Sequence, residues 1–182
     1  MSPYAYIDRP SVFSPATAET LPVWAVSPAD IEQGNLDATA LAWASAAGFR
    51  AAEGAVLLVP GQDGKLAGAL FGLGDDGQCH PFIGGKLARA LPKVDWCIQS
   101  SSIPGATMAL GFGMGAYRFE SYRKPAEEGP RLAIPGDADA DAIRRTVAAV
   151  CLARDLVNTP ANDMGPDALE ARRRQRHDTK SR

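Results

Sequence analysis

Residues 54–74 read GAVLLVPGQDGKLAGALFGLG, and this stretch decides the fold class. Ala55 to Val59 is a continuous apolar run bounded by Gly54 and by Pro60-Gly61. Leu66 to Leu73 is a second such run, ended by the turn-rich Gly74-Asp75-Asp76-Gly77. Short runs flanked by turn formers read as strands, and the lack of polar alternation predicts burial on both faces. Gly61-Gln62-Asp63-Gly64 between them suits a hairpin connection.

Outward from this pair, strand and helix patterns interleave. Leu21 to Val26 is a short apolar run closed by Ser27-Pro28, a predicted first strand. Asn35-Leu36-Asp37 then opens a helical pattern around Leu41 and Trp43, with Gly48 as its stop. Gly85 to Leu91 predicts a short helix ended by Pro92, and Val94 to Ile98 and Arg131 to Ile134 predict strands. In Gly105 to Phe119, Leu110, Met114 and Tyr117 share a helical face flanked by Met108 and Phe112. Gly111, Gly113 and Gly115 weaken that helix by up to about 1 kcal/mol each relative to Ala, yet permit close approach of a neighbour. The clearest helix runs from Asp139 to Asn158. Asp137, Asp139 and Asp141 sit at its positive end, and Pro160 stops it. Its apolar positions form two adjoining stripes: Ile143, Val147, Val150 and Cys151, then Ala148, Leu152 and Leu156. So wide a surface predicts contact on more than one side. Residues 1–20, rich in Pro, Ser, Thr and Ala, read as a loosely held start. The result is an α/β chain whose sheet is covered by helices.

Composition bounds the function classes. With 46% hydrophobic and 22% charged residues, the 182-residue chain can bury a core. A net charge of −2 gives no reason to expect nucleic acid or an anionic membrane as partner. The charge is uneven: Arg172 to Arg182 hold six cations against Asp178 alone, so the tail carries +5 and residues 1–171 carry −7. Such a basic end reads as solvated, and no interleaved aromatics argue for a nucleic-acid arm. Cys79, Cys97 and Cys151 are odd in number and widely spaced, which predicts buried free thiols rather than a zinc knuckle or disulfide framework. No basic start followed by an apolar run marks a signal peptide, and no run of about 18 apolar residues could span a membrane. A cytoplasmic location is expected.

Signatures of chemistry are sparse. Gly111, Gly113 and Ala116 match G-x-G-x-x-A, but inside a helical pattern rather than after a strand, so close packing is the expected role. No phosphate-binding G-x-x-x-x-G-K-[ST] loop, H-E-x-x-H helix or G-x-S-x-G elbow occurs. His80 reads as a loop histidine, and His177 lies in the basic tail. Trp24, Trp43 and Trp96 read as core aromatics. Asp75-Asp76 suits a glycine turn, and Asp137, Asp139 and Asp141 serve a helix start. The residues alone stop at an α/β domain with no visible active site.

One segment changes that. Residues 152–170, LARDLVNTPANDMGPDALE, contain ARDLVNTPAND, which resembles the junction between the two domains of M17 leucyl aminopeptidases (cytosol aminopeptidases). LAGALFGLG at 66–74 and GAYRFESYR at 115–123 are similar to that family's N-terminal domain. The resemblance implies a macro-domain-like mixed sheet over 21–136, a linker helix over 137–158, and the start of a catalytic domain over 159–182. It implies a family reaction in which two divalent cations (zinc, manganese or magnesium) activate a water to release N-terminal amino acids from peptides. Homo-oligomeric assembly into hexamers is implied as well. The family's metal ligands, a lysine and carboxylates including those of an NTDAEGR-type motif, have no counterpart here. No catalytic, cofactor-binding or metal-ligating residue is therefore assigned, and the chain alone is expected to be inactive. The sequence leaves the family pattern at Arg172, which suggests a truncated or frame-shifted product or a foreign end. Without a catalytic domain, Asn158 to Glu170 is expected to be poorly anchored. The rival reading is a macro-domain-like module that binds ADP-ribose or serves oligomer assembly.

Overall fold

The computed structural model describes residues 12–75, 80, 82–100, 102–122 and 128–170. Six strands form one sheet: β1 (Phe13–Ser14), β2 (Leu21–Val26), β3 (Val56–Pro60), β4 (Leu66–Gly72), β5 (Asp95–Ser100) and β6 (Arg131–Ala133). Their spatial order is β1-β6-β5-β2-β4-β3. Every neighbouring pair is parallel except β3 with β4, the hairpin predicted from residues 61–64. The helices are α1 (Pro28–Glu32), α2 (Ala38–Ala46), α3 (Leu87–Ala90, extending a 3-10 turn at Ile83–Lys86), α4 (Gly105–Gly115) and α5 (Ala140–Asn158). The mixed α/β reading and the long helix near the C-terminus are both present.

The faces follow from strand alternation. Val23, Ala25, Ala69, Phe71, Trp96 and Leu132 point to one side, where Leu87, Met108, Phe112, Ile143 and Val147 cover them. Leu70 and Val59 point to the other side, beneath Ala40 and Ala44 of α2. Those alanines lie four residues apart, so they share a face small enough for close approach to the sheet. The α2 start is as read: the Asp37 carboxylate accepts from the Thr39 and Ala40 N–H groups. Gly48 follows its end at φ +65°, where a side chain would be strained.

Several expectations need correction. β3 is not buried on both faces: it is the last strand of the sheet, and Leu58 is 41% exposed. An apolar run does not reveal whether its strand has one neighbour or two. Ser27-Pro28 begins an element rather than only ending one. The Ser27 N–H donates to the Asp30 carboxylate at 2.8 Å, and the Asp30 N–H donates to the Ser27 hydroxyl at 3.2 Å. With Pro28 in the first turn, this is a capping box for α1. Phe13 and Ser14, within the expected loose start, pair with Leu132 and Ala133, and Phe13 enters the core. Of the tryptophans, Trp96 is fully buried and Trp24 half-buried, but Trp43 is 41% exposed. Cys97 and Cys151 are half-buried rather than enclosed. Cys79, His177 and residues 171–182 lie outside the described residues.

The face of α4 also differs. Met108, Ala109, Gly111, Phe112 and Gly113 are buried, while Leu110, Met114 and Tyr117 are only half-buried. Glycine carries no apolar side chain, so a hydrophobic pattern misses the face it occupies. A Cβ on Gly115 would lie 2.3 Å from the Gly85 carbonyl oxygen, and one on Gly113 would lie 2.6 Å from Val147 Cγ2. The helix thus sits backbone to backbone against the 83–86 turn and presses α5 on its other side. Gly111 and Gly113 lie within this packed helix, not at a strand end. In α5, Ile143 and Val147 are buried and Cys151 packs against them, whereas Ala148 and Val157 are exposed.

Candidate functional site

No described cluster of His, Cys, Asp or Glu is arranged to hold a metal ion. His80 accepts the Phe82 N–H on Nδ1 at 3.1 Å, as a loop histidine does. Asp139 accepts the Ala142 N–H at 2.8 Å and caps α5, and Asp141 makes a surface ion pair with Arg144. Burial pushes the Cys97 thiol up from its ordinary range, which disfavours the thiolate a nucleophile would need. The described carboxylates therefore do not fit a dinuclear metal centre.

The structure does bring together two sequence segments far apart in the chain. One is the exit of α4, 114–122, and the other is the last turn of α5 with the loop after it, 154–163. The Tyr117 hydroxyl donates to Asp155 Oδ1 at 3.0 Å and accepts from Asn158 Nδ2 at 3.0 Å. Asp155 and Asn158 are three apart on α5, so both side chains reach the same side. Arg154 donates to the Met114 carbonyl at 2.7 Å, and its guanidinium lies 5.4 Å from the centre of the Tyr117 ring. That carbonyl is at the negative end of α4, where a cation is favoured. Below the helix end, the Tyr122 hydroxyl donates to Asp163.

Helix α5 ends inside this joint. The Thr159 hydroxyl and N–H both donate to the Asp155 carbonyl, at 2.6 and 3.0 Å, and Pro160 prevents a further turn. Thr159 and Ala168 are buried, so the segment after the helix is held by side chains of the domain itself. Its partners lie about forty positions upstream, and no local pattern signals such pairs. What the sequence did mark were the two ends of the joint: residues 115–123 and 152–170 are the segments with the most specific family likeness.

Comparison with known proteins agrees with that likeness. The family "M17 aminopeptidase, N-terminal domain" matches residues 21–135. A probable cytosol aminopeptidase of Corynebacterium efficiens is 34% identical over 139 residues, covering 68% of this chain and 27% of its own length. The chain thus spans about a quarter of that curated relative. Among solved structures, the cytosol aminopeptidase of Coxiella burnetii superposes with a TM-score of 0.74 at 28% identity, over 85% of this chain and 34% of that one. The bottromycin maturation enzyme BotP, solved with Mn, gives a TM-score of 0.63 at 27% identity, over 87% of this chain and 36% of that one. The chain belongs to the M17 aminopeptidase family and carries its N-terminal domain.

Proposed function

We propose that this chain is the non-catalytic scaffold of a metal-dependent aminopeptidase, and that the α4–α5 joint fixes the path by which the chain leaves it. The observation that carries this reading is the tyrosine clasp at the end of α5, formed by residues that resemble the family's domain junction. A catalytic domain following that junction would supply the two divalent cations and their ligands. The whole protein would then remove N-terminal residues from peptides. The manganese in the related BotP structure supports a divalent requirement for the whole enzyme. A unit over 21–136, a linker helix over 137–158, hexameric assembly and a cytoplasmic location complete the proposal. For the last, no described helix is long and apolar enough to cross a membrane.

The test has two arms. The purified chain, incubated with a leucine anilide and Mn²⁺, should show no turnover, and ADP-ribose titrated by calorimetry should release no heat. Turnover that survives rigorous purification overturns the scaffold reading, and saturable ADP-ribose heat transfers the function to ligand binding. In the second arm, residues 21–163 replace the matching domain of the Coxiella burnetii enzyme. Measurable anilide hydrolysis by the chimera supports the proposal. A folded but inactive chimera counts against it.

A further inference from the structure

We draw no further inference here: the strongest candidate, the outward apolar stripe of α5 formed by the exposed Ala149, Ala153 and Val157, is an unpartnered helix face, and nothing in the structure shows what covers it.

Discussion

Replacing Tyr117 with phenylalanine removes one oxygen atom and keeps the ring that stacks under Arg154. That oxygen makes two of the clasp's contacts, to Asp155 and from Asn158. A hydrogen bond to a charged group contributes about 1.5–3 kcal/mol and a neutral one about 0.5–1.5 kcal/mol. Both partners are reachable by water here, with Asp155 half-buried and Asn158 exposed, so the lower ends apply. The expected loss is about 2 kcal/mol, or roughly 4–8 °C in Tm for a domain of this size. Urea unfolding followed by circular dichroism measures it, with Asp155→Ala and the double variant completing a cycle. A coupling energy of at least about 0.5 kcal/mol is expected between contacting residues. Tyr117→Phe should also raise hydrogen exchange in residues 156–163 while sparing β2 and β4. A Tyr117→Phe protein within about 0.3 kcal/mol of wild type, and additive with Asp155→Ala, would refute the clasp as an energetic element.

Two further outcomes are expected. Gly115→Ala should destabilise by about 1–3 kcal/mol in thermal or urea unfolding, because the added methyl meets the Gly85 backbone, which has no rotamer to give way; wild-type stability would show that the two segments can separate cheaply. Cys97 sets an alkaline limit: its folded pKa lies above the ordinary thiol value of 9.0, so the native state holds its proton longer than the unfolded chain. Its contribution is therefore complete below about pH 9 and declines as pH rises through the folded pKa, and Cys97→Ser should flatten stability against pH in that window.

The sequence was most legible where local chemistry is self-sufficient. Asp37 and Asp139 announced two helix starts because a cap needs only the next three residues. The hairpin at 61–64 announced itself for the same reason. Failures arose where a partner lies far along the chain. Phe13–Ser14 carries no strand pattern of its own and becomes a strand only because Leu132 and Ala133 lie beside it. Trp43 looked like a core aromatic because no local signal shows that its indole reaches a sheet edge fifteen residues away. Gly111, Gly113 and Gly115 lowered the helix signal while forming the contact that fixes α4. The joint was half legible: the family likeness marked both of its segments, but only the structure shows that Tyr117 and Tyr122 bind them to each other.

The pairing of β1 with β6 has a consequence for how the chain acquires its shape. These two strands meet across most of the described sequence, with β6 lying between β1 and β5. On a ribosome, Phe13 emerges early, yet its docking place does not exist until Arg131–Ala133 has joined the sheet. Closing so long a loop costs entropy before any contact repays it. The β2, β4 and β5 strands can assemble first, and the first-made strand docks late. Phe13 then seals against Gly113 and Val147, so the arrival of the N-terminal strand and the seating of α5 converge on one spot in the core. A nascent chain released before that point would carry a sheet open at β6, the side opposite β3.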